Sequence, residues 1–339
     1  MANEIILFHY SYSPYARRVV WYLNLRGIAY TQCVDPPFIH RSNPTTNPPP
    51  PRHSSTRHSL QTNPHPLNRT GHIQRHPPHP LQTRVPLPLL ALPPLHLLPD
   101  QRGYERLLES WAVDSGVFMR ASQLIPTDTP LLKDARFQKD REDFSGRSWD
   151  PEKVQMMRPE ALIEIKGAFE MLETALLADG REWILETQGP SLADIEAVWP
   201  FHWLRGLKGA LPESVISGTQ FPKAFAWIER FQQAASAAAS RAGKAKTVKG
   251  AEALRIIDDA GFAEVEGEVD ASDPTGLKKG EVVEIWPIDS GFNSRDRGPL
   301  VVLNGKEIVV EGKTRSGKEV RIHTPRHGFR VRRVGKSKL

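Results

Sequence analysis

The amino-acid sequence predicts an α/β segment at the N-terminus, a helical middle region and a small β-rich module at the C-terminus. Three observations carry this prediction: an apolar run followed at once by a helix-start signal, apolar residues at helical spacing from Gly103 onward, and five short β-type runs after residue 260. The length of 339 residues and the hydrophobic content of 39% fit two or three folded domains.

The first 35 residues predict a strand–helix–strand unit. Ile5–Tyr10 is a short apolar run typical of a buried strand. Pro14 suits the first position of a helix, and Ser13 suits its N-cap. The helix would extend to about Arg26, and a second strand would follow at Ile28–Val34. The helix face expected to be buried consists of Ala16, Val19, Val20 and Leu23.

The middle region predicts several helices. One would extend from Tyr104 to about Leu124, and another would cover Arg158–Leu177. Ser191 is placed to cap the next helix, with Asp194 three residues on completing a pair similar to a capping box. Phe221–Ile228 opens a further helix. The Ala-, Ser- and Lys-rich residues 234–249 predict the end of that helix and a linker.

The C-terminal residues predict a short helix at Ala251–Asp259 followed by a small barrel or sandwich. Asn304-Gly305 is a hairpin signal between two of the strands. The five predicted strands are Glu281–Trp286, Leu300–Leu303, Glu307–Glu311, Glu319–Ile322 and Phe329–Arg332.

Residues 36–99 differ from the rest of the chain in composition. They contain 17 of the 30 prolines and 8 of the 12 histidines, with six arginines and no Asp, Glu or Lys. Their charge of +6 equals the net charge of the whole chain, so the basic balance does not indicate a nucleic-acid surface on the folded part. Because the prolines remove backbone donors and interrupt both periodicities, irregular structure is expected here.

Three interpretations of residues 36–99 stay open. The first is a disordered linker. The second is a metal cluster at His72, His76 and His79, although no rigid element or acidic neighbour would hold such ligands. The third is a change of reading frame, because Asp, Glu and Lys are completely absent while Pro, His, Thr and Asn are abundant. Reading residues 60–84 one nucleotide on, with free choice of synonymous codons, permits the peptide YRRIPIPSIGPDIYSDTRLILSKLE. This peptide contains an Ile-Pro, a Gly-Pro-Asp turn and an amphipathic helix.

Several classes of protein are disfavoured by the sequence. The single cysteine, Cys33, excludes a disulfide scaffold and a Cys-based zinc site. No apolar run reaches about 18 residues, which disfavours a spanning helix and a membrane partner. The first residues, Met1–Glu4, lack the basic region and cleavage site of a signal peptide. A cytoplasmic location is therefore expected.

The run YSYSPYARRV at Tyr10–Val19 resembles the thioredoxin-like N-terminal domain of glutathione transferases. In the serine- and cysteine-type members, Ser or Cys followed by Pro and Phe or Tyr stands at the start of the first helix. Ser191–Ile195 resembles the N-capping element of the all-helical transferase domain, and Phe221–Ile228 matches the helix that usually follows. The resemblance covers residues 4–35 and about 103–240.

The resemblance implies a fold class and four regions. These are a partial thioredoxin-like α/β domain at 1–35, an irregular Pro/His-rich segment at 36–100, an all-α glutathione transferase domain at 101–245 and a small β-rich module at 246–339. Similar modules are appended in a fungal-type group of transferase-like proteins. The family's next landmarks, a Val/Ile-Pro and an acid or small residue followed by Ser or Asp, occur in the shifted peptide as IP and SD. The written chain offers only Arg84-Val85-Pro86, with no matching acid–serine pair after it.

The resemblance also implies a site at the start of the first helix. Ser13 is the candidate catalytic residue, because a hydroxyl at a helix N-terminus can stabilise the glutathione thiolate. Tyr10, Tyr15 and Arg17 are candidate glutathione-binding residues, with glutathione as substrate and no metal. The candidate residues for the hydrophobic-substrate site are Trp111 and Asp114.

A structural role is the alternative for each candidate. Ser13 can simply cap its helix, and Tyr10 is then the alternative hydroxyl donor. Tyr15 and Trp111 can belong to the core, and one of Arg17 and Arg18 can be a solvated helix residue. Cys33 is expected to be a small buried thiol rather than a nucleophile. Residues 313–339 contain ten Lys and Arg and one acid, and a solvated basic edge is favoured there over a nucleic-acid site.

The leading function predicted is the addition of glutathione thiolate to a small electrophile, and the chain as written is expected to have little or no activity. Two alternatives stay open: a non-catalytic transferase-like interaction protein and a nucleic-acid binder that uses the basic tail. The expected partners are glutathione and a small electrophile. The resemblance also allows a homodimer, and nucleic acid is the less favoured partner.

Overall fold

The computed structural model describes residues 5–10, 13–34, 98–262, 267–289, 291, 293, 295–314 and 316–335, together with the backbone of 66–68. Contacts within the chain divide it into two compact units. The first unit combines residues 1–11, 31–84 and 247–339, and the second combines 12–30 and 85–246. The predicted domain boundaries at 35, 100 and 245 differ from this division and stay predictions.

The first unit contains a sheet with strands in the order β3-β1-β2-β4. β1 and β2 are parallel, with Phe8 opposite Cys33, and β3 pairs antiparallel with β1. The order strand, helix, strand predicted for the first 35 residues is therefore present. The four strands are β1 (Ile5–His9), β2 (Thr31–Val34), β3 (Pro66–Asn68) and β4 (Lys246–Val248).

Two edge strands of this sheet correct the sequence prediction. β3 lies within residues 36–99, where irregular structure was expected throughout, and β4 lies in the expected linker. Both strands have three residues, too few to show a period of two. Pro66 is tolerated because it is the first residue of an edge strand, where a missing backbone donor costs little. His72, His76 and His79 lie outside the described residues.

A small core joins the first sheet to later parts of the same unit. The side chains of Ile6 and Phe8 pack with Cys33, which is 1% exposed, so the expected burial of this thiol is confirmed. The other contributors come from β4, from the helix α9 (Gly250–Asp258) and from the C-terminal sheet: Val248, Ala253, Ile257 and Val320.

The C-terminal sheet is antiparallel and has the strand order β8-β7-β6-β5-β9. All five strands were predicted, and their cores were placed correctly. The Asn304 side chain accepts hydrogen bonds from the backbone N–H groups of Lys306 and Glu307, which closes the predicted hairpin. The strands are β5 (Val282–Pro287), β6 (Asp296–Leu303), β7 (Glu307–Lys313), β8 (Glu319–Pro325) and β9 (Phe329–Arg333).

Gly298 in β6 lies where another backbone segment passes very close. A Cβ atom at this position would lie 1.7 Å from the carbonyl oxygen of Glu311. We expect Gly298→Ala to lower the free energy of unfolding by about 2 kcal/mol, because the two backbone segments must separate. Chemical denaturation measures this loss. Gly305→Ala is the control, since its Cβ would meet nothing within 4 Å, and equal effects of the two substitutions would contradict the prediction.

The second unit consists of helices. The N-terminal helix α1 (Pro14–Leu25) packs against α7 (Leu192–Arg205) and α8 (Pro222–Ala242). The largest fully buried side chains of the second unit include Trp199, Trp227 and Phe169. The other helices are α2 (Pro99–Val113), α3 (Val117–Ser122), α4 (Pro130–Lys133), α5 (Ala135–Ser145) and α6 (Pro151–Met171), which continues into a π-helical turn at Leu172–Leu176.

Two predicted helices differ from the observed ones. The helix expected from Tyr104 to Leu124 is divided into α2 and α3, because Gly116 adopts a φ of 90° that only glycine takes readily. The helix expected from Arg158 begins at Pro151 instead. Asp150 caps it by accepting hydrogen bonds from the N–H groups of Glu152 and Lys153.

The predicted capping pair of α7 is confirmed. The Ser191 hydroxyl accepts from the Asp194 N–H, and the Asp194 carboxylate accepts from the Ser191 N–H at 2.8 Å. Asp194 also accepts from the Ile184 N–H at 3.0 Å and from the Trp227 indole at 2.9 Å. Burial raises the pKa of Asp194, and these hydrogen bonds oppose that shift. Across the described ranges, no helix is both long enough and apolar enough to cross a bilayer.

Candidate functional site

The N-terminus of α1 places the candidate catalytic hydroxyl. Ser13 is the N-cap residue, and its Oγ accepts a hydrogen bond from the Ala16 N–H at 3.2 Å. Pro14 occupies the first helical position, where its missing N–H is no loss. Ser13 is completely buried. The cap and the partial positive charge of the helix N-terminus favour a negative charge beside this hydroxyl.

Arg17 lies one turn further along α1 and is half-buried. Its Nη1 lies 3.4 Å from Nδ1 of His202, on α7. Nε2 of His202 contacts the side-chain oxygen of Gln232, on α8, so a polar chain links three helices. Burial lowers the pKa of His202, and the Arg17 charge lowers it further, whereas the Gln232 hydrogen bond raises it. His202 is therefore held in its neutral form, and Arg17 keeps the positive charge.

Tyr15 belongs to an aromatic cluster of the second unit. It is 4% exposed, and its ring lies 5.0 Å from the Phe118 ring and 4.7 Å from the Trp199 ring. Phe118 and Trp199 also contact each other, at 4.5 Å. Such pairs stabilise packing beyond the area they bury. The ring of Tyr15 therefore packs α1 into this unit, and its contact with glutathione stays a prediction.

Arg18 is the second arginine of α1, and the sequence alone assigns it no specific role. It is completely buried, and its Nη1 lies 2.5 Å from Oε2 of Glu196, on α7. The guanidinium also lies over the rings of Tyr15 and Trp199. Arg18 is thus the buried member of the arginine pair and Arg17 the half-buried one. Of the two, only Arg17 can be the expected solvated helix residue, because α7 covers Arg18.

Two more carboxylates act on the ion pair of Arg18 and Glu196. Burial raises the pKa of Glu196, and the charges of Glu109 and Glu105 raise it further, whereas the Arg18 charge lowers it. Burial also raises the pKa of Glu105 to about 7. Three carboxyl groups, those of Glu105, Glu109 and Glu196, therefore lie close together between α2 and α7, and Arg18 of α1 is the cation that pairs with Glu196.

The candidates for the hydrophobic-substrate site lie on and just after α2. Trp111 is half-buried, with its ring 5.8 Å from that of Phe201. Asp114 is exposed and forms the C-cap of the helix. The structure thus brings Ser13, Tyr15 and Arg17 together on the first turn of α1 and places Trp111 and Asp114 on another helix. Tyr10 follows β1 in the first unit and is half-buried.

His202 and Glu196 were missed by sequence reasoning. They are separated from Arg17 and Arg18 by 185 and 178 residues, and no local periodicity reports such a pairing. The sequence did contain one signal for them, because Glu196 and His202 interrupt the otherwise apolar run of α7, and such residues need polar partners when they are buried. Within the described ranges, no three His, Cys, Asp or Glu side chains converge as a metal site would require.

An open groove of about 670 Å³ lies in the second unit along residues 204–225. It is lined by the end of α7, the loop that follows and Phe225 of α8. None of the predicted site residues lines it. The groove therefore does not extend the candidate site at α1.

Comparison with protein families matches two parts of the chain. The family model of the glutathione S-transferase N-terminal domain matches residues 7–50. A domain of unknown function, DUF7962, matches residues 120–240. The first match contains Ser13, Tyr15 and Arg17. No curated protein matches the chain.

Comparison with solved structures finds transferase-like folds. A GST-like protein from Pseudomonas syringae aligns with a TM-score of 0.62 and 19% identity, over 98% of this chain and 100% of its own. A glutathione S-transferase from Methylobacterium radiotolerans, in complex with glutathione sulfonate, aligns with a TM-score of 0.40 and 20% identity, over 73% and 98% of the two chains. A rice transferase in complex with glutathione aligns with a TM-score of 0.42 and 15% identity, over 76% and 96%.

These findings confirm the predicted fold class. The fold is glutathione transferase-like, with a thioredoxin-like α/β N-terminal part, a helical region and a separate antiparallel sheet at the C-terminus. The alignment with the Pseudomonas syringae protein covers nearly the whole chain and therefore extends through the C-terminal sheet.

Proposed function

We propose that this fold serves the addition of glutathione to a small electrophile, with Ser13 as the residue that stabilises the thiolate. The observation that carries the proposal is the position of Ser13 at the N-cap of α1, inside the segment that matches the glutathione S-transferase N-terminal domain. A hydroxyl at this position donates a hydrogen bond to the sulfur, and the helix N-terminus adds a favourable partial charge. Together they lower the pKa of the thiol.

Arg17 supplies the second element of the proposed site. Arg17 lies one helical turn after Ser13, and neutral His202 contacts its guanidinium without cancelling the charge. A glutathione carboxylate would form a charge-assisted hydrogen bond there. Because Ser13 is completely buried, the thiol reaches the hydroxyl only after a neighbouring side chain moves. Tyr10 remains the alternative hydroxyl donor, and Trp111 and Asp114 remain the proposed contacts of the electrophile.

The chain with its present sequence, called the written chain, lacks residues that would hold one end of glutathione in this proposed site. Residues 36–99 contain no Asp, Glu or Lys that could hold the γ-glutamyl end of glutathione. We therefore define a restored chain, in which residues 60–84 are replaced by the 25-residue frame-shifted peptide. The restored chain contains the Ile-Pro and Ser-Asp landmarks and is the form in which the proposed reaction is tested.

We expect Ser13→Ala in the restored chain to lower the rate of conjugation to a nitroaryl halide by about tenfold to a hundredfold. The loss corresponds to one hydrogen bond to a charged group, about 1.5–3 kcal/mol. The measurement is initial rate against pH at equal folded concentration, and the pH at which the thiolate forms should rise in the variant.

The control separates catalysis from helix capping. Asp150→Ala removes the N-cap of α6 and should lower stability by about 1 kcal/mol while leaving the conjugation rate unchanged. If Ser13→Ala behaves like Asp150→Ala, the thiolate role does not belong to Ser13. The same assay with Tyr10→Phe then tests the alternative donor.

A further inference from the structure

The outer face of β5, β6 and β9 gathers four arginines around one tryptophan. Trp286 on β5 lies opposite Arg330 on β9, while Glu284 lies opposite Arg332 on β9 and opposite Arg297 on β6. Residues opposite each other in an antiparallel pair point to the same side of the sheet. The opposite side faces the core of the sheet, where Val283, Ile285, Phe329 and Val331 are buried.

Cation–π contacts hold three of these arginines over the indole ring. The guanidinium carbon of Arg295 lies 4.4 Å from the Trp286 ring centroid, that of Arg332 lies 5.6 Å away and that of Arg330 lies 5.8 Å away. The arginines cover the ring, which leaves Trp286 5% exposed. These contacts keep the three guanidinium groups close to the indole and so restrict the rotamers of the arginine side chains.

The charge of this arginine face is nearly uncompensated. Glu284 pairs with Arg295 at 3.2 Å. In the described part of the chain, no carboxylate lies within 4 Å of the guanidinium groups of Arg297, Arg330 and Arg332, all of which are exposed. By contrast, Arg333 points to the other side of β9 and forms a two-pronged pair with Glu281. Glu284 thus compensates one of the four arginines, and the other three leave this face positively charged.

We propose that the arginine face binds single-stranded nucleic acid. Side chains two residues apart on a strand repeat at about 6.8 Å, and neighbouring strands lie about 4.8 Å apart, so the face offers several cationic contacts to one extended polyanion. Arginine planes are also surfaces on which unpaired bases stack, and three guanidinium groups lie within 6 Å of one indole here. Phosphates and bases are thus both accommodated.

Other anionic partners use less of what the face provides. An acidic peptide or an anionic membrane is attracted by the charge alone and gains nothing from the planar shape of the guanidinium groups. A membrane surface also rewards exposed apolar side chains, and the large ones exposed along β5 and directly after it are two isolated residues, Val282 at 42% and Ile288 at 53% exposure. The inference does not depend on the proposed transferase reaction, because every residue in it belongs to the first unit.

The test measures binding of the full chain to a labelled 20-nucleotide single strand by fluorescence anisotropy, at 50 and 200 mM salt. We expect Arg330→Gln with Arg332→Gln to weaken binding about tenfold at 50 mM salt and to reduce the slope of log K against log salt by about 1.4. The matched control is Lys278→Gln with Lys306→Gln, which removes two exposed charges from the loops of the same module. The control should keep most of the affinity.

A second pair of measurements identifies the partner. Arg330→Lys with Arg332→Lys keeps the charge but removes the planar groups, and we expect it to weaken strand binding several-fold. Polyglutamate and phosphatidylserine vesicles should bind the unaltered chain more weakly than the strand does. Three results would each overturn the proposal. They are no binding of the single-stranded nucleic acid at 50 mM salt, an equal loss of affinity in the Arg330→Gln/Arg332→Gln variant and the Lys278→Gln/Lys306→Gln control, and tighter binding to polyglutamate or vesicles. Thermal unfolding checks that the variants are folded.

Discussion

The written chain is expected to conjugate glutathione at least about a hundredfold more slowly than the restored chain. The transferase resemblance attributes glutathione binding to backbone pairing beside a Val/Ile-Pro and to an acid–Ser/Asp pair that holds the γ-glutamyl end. Residues 36–99 contain no Asp or Glu, and no such pair follows Val85-Pro86 there, so they do not offer the second contact in the family's order. Losing two charge-assisted hydrogen bonds at about 1.5–3 kcal/mol each gives this factor or more.

The measurement compares both chains at equal folded concentration, with glutathione affinity and conjugation rate determined separately. A loss of binding should raise KM for glutathione most strongly, because these contacts form before the chemical step. A third chain carrying a scrambled version of the 25-residue peptide controls for the mere removal of prolines. Comparable rates from the written and restored chains would show that residues 60–84 were read in the correct frame.

The C-terminal sheet was the region best predicted from the sequence. Val283 and Ile285 alternate with Val282 and Glu284, and Phe329 and Val331 alternate with arginines, because one side of each strand faces the core of the sheet. This alternation fixes both the strand and its inward face. The three-residue strands β3 and β4 carry no such signal, since their pairing depends on partner strands far away in the sequence.

For the candidate site, the sequence predicted the cap but not the polar partners. Ser13 and Pro14 form a local signal that needs only the next turn of the helix. Arg17 and Arg18 look alike in the sequence, and their different roles depend on which side of α1 faces α7. Only the packed structure shows that Arg18 pairs with Glu196 while Arg17 contacts His202.

The buried pair of Arg18 and Glu196 gives the second large expected effect. Glu196→Leu should lower the free energy of unfolding by about 3–5 kcal/mol, because it leaves the Arg18 charge in an interior where α1 and α7 exclude water. The matched control is Glu229→Leu. Glu229 pairs with Arg205 at 2.9 Å, but both side chains are exposed, so a change of less than about 1 kcal/mol is expected. Urea unfolding measures both.

A double variant distinguishes an unpaired charge from lost packing. Arg18→Met combined with Glu196→Leu removes both charges and keeps the volume, so it should recover most of the stability lost in Glu196→Leu. If the double variant is less stable than the single one, the contacts of Arg18 with the Tyr15 and Trp199 rings contribute more than the ion pair does. If Glu196→Leu alone costs less than about 1 kcal/mol, then Glu105 and Glu109, whose charges act on Glu196, hold Arg18 in its place. In that case α1 is fixed by the whole carboxyl cluster and not by one partner.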